Sequence, residues 1–446
     1  MNTPIYDFLQ RYADGDTTRL HMPGHKGKIY CDPLAPLYPY DITEIKGADE
    51  LFSPSGIIKE SEENAARLYN TKGTFYSAGG STLCIQTMLA LAAKPKTTVI
   101  APRNVHKAFI NACVLLDLDV GWVYPSESNA DDTIISYSYS LDNIEKAVIE
   151  AENPACIYIT SPDYYGRTAD IEGISRLAKK YKLPLLVDNA HGAHLAFLER
   201  NIHPITLGAD MCCDSAHKTL PVLTGGAYLH VNNEKYLPFV KDTMALFGST
   251  SPSYLIMCSL DLCNNYIENQ IKEDLSDITK HINALKEKLS PSWSIIESEP
   301  LKLSVLTASD GIDGNELSEH MRKCGIECEY SDESSIVFLF SPLNSSEDTE
   351  ALFDAFSEFK KPSVKKDFSP VIIPRPKKSM SLREATLSEN EIISAENAFG
   401  RICGKTKVTC PPGIAVAAGG EIIDEECIAM FKKYNIREVS VVKPQL

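Results

Sequence analysis

Two neighbouring stretches decide the fold, LPLLVDNAHGAH at residues 183–194 and ADMCCDSAHKTLPVLTGGA at residues 209–227. Each begins with a short apolar run and ends in polar residues, the pattern of a buried strand whose carboxyl end opens onto a loop. Similar runs, TTVIAP, DVGWVYP, ACIYITSP and GGAYLHV, are mostly separated by helical stretches such as EGISRLAKKYK. This alternation predicts an α/β fold with a mainly parallel sheet and helices on both faces.

The same patterns divide the 446 residues into domains. We predict an N-terminal segment at 1–60, a large α/β domain at 61–289 and a smaller α/β domain at 290–361. The stretch 362–379, rich in proline and basic residues, is predicted to be a linker. Residues 380–446 are predicted to form a C-terminal module.

Composition narrows the functional class. Hydrophobic residues make up 43% and charged residues 23% of the chain, as in an ordinary soluble enzyme. The net charge of −16 disfavours nucleic acid and anionic membranes as partners and suits a cationic small molecule. Thirteen cysteines without framework spacing indicate free thiols in a reducing cytoplasm, and the acidic N-terminus does not resemble a secretory signal. The apolar stretch Leu83–Ala93 is too short to span a membrane.

Polar residues at predicted strand ends carry the chemical information, because ligands of open parallel sheets bind at the carboxyl ends of strands. The first such end, Gly79–Thr82, places glycines and hydroxyls before a helix, where they can hold a phosphate or simply cap the helix. The second ends in Asp188, followed by His191 and His194. A metal site is a weaker interpretation of these three residues, because nearby ligands of suitable spacing are absent.

The third strand end carries Lys218, with Ser215 and His217 just before it. Most lysines are solvated, but burial between two apolar segments would lower the pKa of this amine and make it a nucleophile. The fourth end carries His106, which in isolation would more often be structural. Together, a phosphate cradle, an aspartate, a lysine and a histidine are what a pyridoxal phosphate site requires.

Motifs along most of the chain resemble those of the Orn/Lys/Arg decarboxylases, in their short form. They are HMPGHKG, DITEIKGADELFSPSGIIKE, GGST, RNVHKA, VDNAHGAH, SAHKTLP, STSPSY and CPPGIAVAAGGEII, in this order. The resemblance implies the pyridoxal phosphate-dependent transferase fold (fold type I) with a seven-stranded sheet. It also implies decarboxylation of arginine or lysine, less readily of ornithine, to a polyamine-type amine, by a homodimer with shared active sites.

The resemblance further implies roles for single residues. Lys218 would form the Schiff base with the cofactor, Asp188 would pair with the pyridine nitrogen, and His106 would stack on the ring. Ser249 would reach the phosphate of the neighbouring subunit, or else cap the helix that follows it. The residues implied to bind the cofactor are Gly80, Ser81, Thr82, His106, Asp188, Ala190, His191, Ser215, His217, Lys218 and Ser249.

Three positions depart from the family pattern. Asn189 stands where glutamate is common, Gly225 stands where glutamine is common, and a PGE-like turn is replaced by GGE, with Gly420 before Glu421. Lys218 and Asp188 are untouched, so the departures bear on the substrate rather than on cofactor binding.

Two other functions stay open at this stage. An aminotransferase would need a cationic clamp for the substrate carboxylate, with Arg103, Arg167 and Arg401 as candidates. A pyridoxal phosphate-binding protein with little turnover is the other alternative. For a decarboxylase, the cationic substrate tail needs a carboxylate partner, and the candidates are Asp41, Glu44, Asp49, Glu50 and Glu421.

Overall fold

A computed structural model describes most of the chain, namely residues 1–28, 32–125, 132–362, 373–408 and 413–444. Most of the predicted linker at 362–379 and the start of the CPPGIAVAAGGEII motif lie outside the described residues. The helices are α1 (Pro4–Ala13), α2 (Ile57–Tyr69), α3 (Gly80–Ala92), α4 (Lys107–Leu116), α5 (Leu141–Glu150), α6 (Ile171–Lys180), α7 (Ala216–Thr219), α8 (Val240–Ala245), α9 (Tyr254–Asn269), α10 (Ile271–Leu289), α11 (Gly314–Lys323), α12 (Ser346–Glu358), α13 (Leu382–Leu387) and α14 (Glu425–Lys433).

The strands alternate with these helices over the first half of the chain. They are β1 (Gly73–Ser77), β2 (Thr98–Pro102), β3 (Asp119–Val123), β4 (Pro154–Thr160), β5 (Leu185–Asp188), β6 (Met211–Asp214), β7 (Ala227–Val231), β8 (Ile295–Ile296), β9 (Lys302–Val305), β10 (Tyr330–Ser331), β11 (Ile336–Leu339), β12 (Asn390–Ser394), β13 (Lys407–Val408), β14 (Ala415–Ala417) and β15 (Glu438–Val442).

Seven strands form one mixed sheet, in the order β1-β7-β6-β5-β4-β2-β3. Strand β2 pairs in parallel with β3 and β4, and β5 pairs in parallel with β6, whereas β7 runs antiparallel to both β1 and β6. The predicted α/β fold with a mainly parallel seven-stranded sheet is therefore confirmed.

The strands β5 and β6 place the predicted site. Every residue of both strands is buried, which explains why their sequences do not alternate and are apolar up to the aspartate that ends each strand. Their parallel register pairs Asp188 with Cys213. The loops that follow the two strands therefore leave the sheet at the same edge.

The chain divides into two compact units. The first comprises residues 1–91, 186–277 and 341–343. Within it, helix α9 supplies the missing cap of α1, because the Asp261 carboxylate accepts the backbone N–H groups of Ile5 and Tyr6, each at 3.0 Å. The first turn of a helix has no intrahelical partner for these donors, so a buried carboxylate satisfies them.

The second unit comprises residues 92–185, 278–340 and 344–446. It contains a four-stranded sheet in the order β10-β11-β9-β8 and the antiparallel pair of β12 with β15. Helix α14 contributes Met430 and Phe431 to the apolar core of this unit.

Two predictions about the whole chain concern membranes and thiols. None of the helices in the described ranges is long and apolar enough to cross a bilayer. The described cysteines are free thiols, as their spacing predicts, and most of them are buried.

Candidate functional site

The carboxyl end of β5 carries Asp188, which is 2% exposed. One of its oxygens, Oδ1, accepts the backbone N–H of Ala190 at 3.2 Å and lies 3.6 Å from the thiol of Cys213 on the paired strand. These contacts fix the orientation of the carboxylate at the sheet edge where the sequence places the site.

Lys218 lies on α7, the single helical turn that follows β6. Its ammonium Nζ donates to Nε2 of His191, at a distance of 2.9 Å. His191 belongs to the turn after Asp188 and is buried, as is His194 in the same stretch. The structure therefore brings Lys218 together with the Asp188–His191 turn, as the order of the two strands predicts.

A cradle of hydroxyls and backbone groups lies at the N-terminus of α3. The N–H of Gly80 donates to the carbonyl of Gly225 at 2.8 Å, and the hydroxyl of Ser215 donates to that of Ser81 at 2.9 Å. Thr82, in the first turn of α3, is exposed. Hydroxyls beside the positive end of a 13-residue helix are suited to an anion such as a phosphate.

His217 directly precedes Lys218 on α7. Burial lowers the pKa of its imidazole, and the charge of Lys218 acts in the same direction. The ring is therefore neutral near neutral pH, and its Nδ1, 2.9 Å from the carbonyl of Gly226, carries the proton. Binding a phosphate at Nε2 would require a second proton on this ring.

Ser249 is exposed and its hydroxyl accepts the backbone N–H of Ser251 at 3.2 Å. The alternative that it caps the following helix is wrong, because Ser253 is the N-cap of α9 and accepts from Ile256. Its predicted contact with a neighbouring subunit stays a prediction.

His106 belongs to the second unit, where it is exposed and forms the N-cap of α4. Its Nδ1 accepts the N–H of Ala108 at 3.2 Å, and the N–H of Lys107 donates to the carbonyl of Gly413 at 2.8 Å. The backbone at Gly413 thus holds the loop of His106, whose stacking role stays a prediction.

A buried ion pair in the second unit accounts for two candidate residues. The two terminal guanidinium nitrogens of Arg103, Nη1 and Nη2, donate to Glu421 at 2.8 and 2.6 Å, and the indole N–H of Trp122 adds a third bond at 3.1 Å. Arg103 is fully buried and Glu421 is 4% exposed. Arg103 is therefore excluded as a clamp for a substrate carboxylate, and Glu421 as the partner of a cationic tail.

Of the other candidate residues, some are engaged in contacts within the protein and one lines a cavity. Arg401 donates to Glu391 at 2.7 Å, whereas Arg167 lines a cavity of about 320 Å³ and lies 3.6 Å from Asp132. Asp49 accepts backbone N–H groups at the start of α2, including that of Gly56 at 2.8 Å, which makes it a helix-capping residue.

The glycines at two departures from the family pattern are required by the backbone. Gly225 and Gly420 have φ values of +97° and +86°, which residues other than glycine rarely adopt. A Cβ at position 420 would also lie 2.3 Å from the carbonyl oxygen of Met380. These two departures therefore belong to the local chain path.

Sequence reasoning missed a buried cluster of Asp214, His203 and His230, whose ligand atoms lie within 4.8 Å of one another. Its one signal was Asp214 itself, a carboxylate in the otherwise apolar strand β6, since a buried charge requires partners.

Comparisons with known proteins identify the family of the chain. The family model described as Orn/Lys/Arg decarboxylase, major domain, matches residues 3–303. The uncharacterized protein YaaO of Bacillus subtilis is 32% identical over 461 residues, covering 97% of this chain and 94% of that protein. An arginine decarboxylase of Bacillus subtilis is 29% identical over 462 residues, covering 97% and 93%.

The fold also matches a solved structure. The lysine decarboxylase LdcF of Francisella novicida aligns with a TM-score of 0.83 at 14% identity, covering 99% of this chain and 81% of that one. The family model matches more than half of the chain, and YaaO is aligned over nearly its whole length. The chain belongs to the Orn/Lys/Arg decarboxylases, a family of amino acid decarboxylases.

Proposed function

We propose that this protein is a pyridoxal phosphate-dependent decarboxylase that converts a basic amino acid, arginine or lysine ahead of ornithine, into the corresponding amine and CO₂. Family membership supports the reaction class. The observation that carries the proposal is the 2.9 Å contact between Lys218 and His191, which places a lysine amine beside the turn that follows Asp188.

The residues of the first unit fit the cofactor. Its phosphate would lie against the N-terminus of α3, where Ser81 and Ser215 supply hydroxyls 2.9 Å apart. An ideal Cβ built on Gly80 meets no atom within 4 Å, so the cradle has room for a ligand there. The residues that would hold the cofactor are Gly80, Ser81, Thr82, Asp188, Ala190, His191, Ser215, His217 and Lys218, with His106 as the predicted stacking residue and Ser249 as a predicted ligand from the neighbouring subunit.

Pyridoxal phosphate, when bound, supplies an electron-accepting ring that takes up the electron pair left when the substrate carboxyl group departs as CO₂. The role of Asp188 is to hold a proton on the ring nitrogen through a charge-assisted hydrogen bond. Its carboxylate is oriented beforehand by Ala190 and Cys213, so little reorganisation is needed when charge develops.

Lys218 and His191 handle protons. The amine of Lys218 would bind the cofactor covalently, and it becomes nucleophilic when His191 Nε2 accepts its proton across 2.9 Å. After CO₂ leaves, a proton has to reach the substrate α-carbon. Lys218 and a nearby histidine such as His191 are the candidate donors.

The substrate is proposed to be cationic. Several relatives named arginine decarboxylase are 28 to 29% identical to this chain, and the alignments cover at least 92% of each relative. These relatives support arginine as the first substrate to test. The net charge of −16 agrees with a cationic ligand. Asp49 and Glu421 are engaged elsewhere, which leaves Asp41, Glu44 and Glu50 as the candidates for the substrate tail. Of these three, Asp41 lies 3.1 Å from Nε2 of His25.

We also propose a cytoplasmic homodimer in which Ser249 reaches the cofactor phosphate of the neighbouring subunit. The family resemblance and the exposure of Ser249 support this arrangement. Light scattering on the purified protein tests it, with twice the monomer mass of 49.2 kDa as the expected result.

The deciding experiment is CO₂ release from arginine, lysine and ornithine, assayed side by side with added pyridoxal phosphate. Lys218→Ala should reduce turnover to background and remove the visible absorbance band of the lysine-bound cofactor. Lys179→Ala, the matched change at an exposed position of α6, should alter neither.

Three results would contradict the proposal in different ways. A persistent absorbance band in Lys218→Ala would mean that another lysine carries the cofactor. Consumption of an oxo acid without CO₂ would indicate an aminotransferase, with Arg167 as the remaining candidate clamp. Cofactor binding without turnover of any of the three amino acids would indicate a binding protein.

A further inference from the structure

Asp214 is a fully buried carboxylate at the end of β6. Its Oδ2 accepts Nε2–H groups from His203 at 2.9 Å and from His230 at 3.1 Å. The other nitrogen of His203, Nδ1, accepts the backbone N–H of Ile205 at 3.4 Å, so the proton of this ring is on Nε2. Burial lowers the pKa of His230, so this ring is neutral as well. The site therefore holds one negative charge surrounded by neutral donors.

The same three residues have the spacing of a metal site, since their ligand atoms lie within 4.8 Å of one another. A metal would need the Nε2 lone pair of His203, and the proton would then move to Nδ1, against the N–H of Ile205. Hydrogen bonding therefore explains this cluster better than metal coordination does.

Asn189 connects the buried anion to the turn that follows Asp188. Its Nδ2 donates to Oδ1 of Asp214 at 2.7 Å, and its backbone N–H donates to the carbonyl of Cys213 at 2.9 Å. Its carbonyl accepts the N–H of Gly192 at 2.8 Å. A Cβ on Gly192 would lie 2.1 Å from Asn189 Oδ1, so glycine makes room for the carboxamide.

We propose that Asp214 is a positioning residue that fixes the turn carrying Asp188 and His191 through the carboxamide of Asn189. Because side chains alternate along a strand, Asp214 faces away from Cys213, whose thiol contacts Asp188. The side chain of Asp214 therefore reaches the turn of Asp188 through its contact with the carboxamide of Asn189. This inference rests on the proposed function in assigning the turn to the cofactor.

The charge at position 214 dictates an amide at position 189. An Asn189→Asp variant keeps the shape of the side chain but places two carboxylates against each other, where burial prevents both from ionising. Exchanging the two groups, as in Asn189→Asp with Asp214→Asn, restores one carboxylate and one amide. The amide oxygen at 214 can then accept from His203 and His230, while its NH₂ donates to the carboxylate at 189.

The test compares the wild type with Asn189→Asp, Asp214→Asn and the double exchange. Thermal unfolding of the apoprotein reports the pairing, and the dissociation constant of pyridoxal phosphate, measured where every variant is folded, reports the positioning. Asn189→Asp should weaken cofactor binding by about tenfold or more and lower the apoprotein melting temperature. Asp214→Asn should have an intermediate effect. The double exchange should recover binding to within about threefold of the wild type.

The control is Asn315→Asp, the same change at an exposed helical position, which should leave both measurements unchanged.

Several results would overturn the inference. Unchanged cofactor affinity in Asn189→Asp would reduce the pair to a structural role, even if the melting temperature fell. A double exchange no better than the worse single variant would contradict the charge pairing. Stoichiometric metal in the purified protein, removed by a chelator together with stability, would replace the hydrogen-bonded cluster by a metal site. Failure of the proposed function looks different, since the wild type itself would then bind no pyridoxal phosphate, and the positioning role would fall with it.

Discussion

The molecule buries carboxylates in two different ways. In the first unit, Asp214 is held by neutral donors from His203, His230 and Asn189. In the second, Glu421 faces the guanidinium of Arg103 in a two-pronged ion pair. Burial costs an isolated charge heavily in either place, but the compensation differs: hydrogen bonds alone in one case, an opposite charge in the other.

The difference shows in what each site leaves behind when the negative charge is removed. The imidazole and amide groups around Asp214 lose a strong acceptor but stay neutral. Arginine cannot give up its proton under ordinary conditions, so the guanidinium would remain as an unpaired buried charge. The same carboxylate-to-amide change should therefore have unequal effects in the two units.

The largest effect is expected for Glu421→Gln. It should lower the free energy of unfolding by about 3–5 kcal/mol, because it leaves Arg103 charged and buried without a full counter-charge. Urea unfolding near neutral pH measures this loss. The matched control is Glu391→Gln, which breaks a pair with Arg401 whose side chains are 37% and 30% exposed, and it should cost at most about 1 kcal/mol. Equal losses in the two variants would mean that burial does not distinguish these pairs.

A smaller loss is expected for Asp214→Asn. The amide oxygen still accepts from both imidazole rings, so the cost should be about 1–3 kcal/mol in the same urea experiment. A loss as large as that of Glu421→Gln would mean that one of the two histidines is protonated. Asp214 and Glu421 would then both be buried in ion pairs, and the two units would not differ in this respect.

The smallest effect is a pH dependence that comes from His230. Burial lowers the pKa of His230 below its ordinary value of 6.5. As the pH is lowered from about 7.5 to about 5.5, the unfolded chain therefore binds a proton that the folded protein does not bind. The free energy of unfolding decreases over this range by at most about 1.4 kcal/mol for each pH unit. His230→Gln keeps a donor for Asp214 but does not titrate, so its unfolding free energy should fall less over this range. Parallel pH profiles for the two proteins would contradict a neutral, buried His230.

The positions of the strands could be predicted from the sequence, but the antiparallel pairing of β7 in the sheet could not. The apolar runs of β5 and β6 locate both strands from the sequence, because a strand buried on both faces is mostly apolar, here up to the aspartate that ends each strand. The antiparallel pairing of β7 with β1 and β6 joins segments far apart along the chain. No local pattern encodes such a pairing, and it is β7 that carries His230.

The site was predictable where chemistry follows a strand end. The sequence predicts Asp188 and Lys218 in this way, and the structure places Lys218 2.9 Å from His191, which belongs to the turn after Asp188. His203 and His230 are single histidines in stretches that carry no recognisable motif. The register of β6 and β7 pairs His230 with Cys212, and this pairing brings His230 to Asp214. Arg103 and Glu421 are 318 residues apart, so their pairing could not be read from spacing.

The contact between Asn189 and Asp214 also has an evolutionary consequence. Since the buried space between them accommodates one carboxylate and one amide, the two positions should change together. A relative with an acid at the position of Asn189 should carry an amide at that of Asp214. Substitutions there should then be read as one paired event, in which a charge has moved between neighbouring strands.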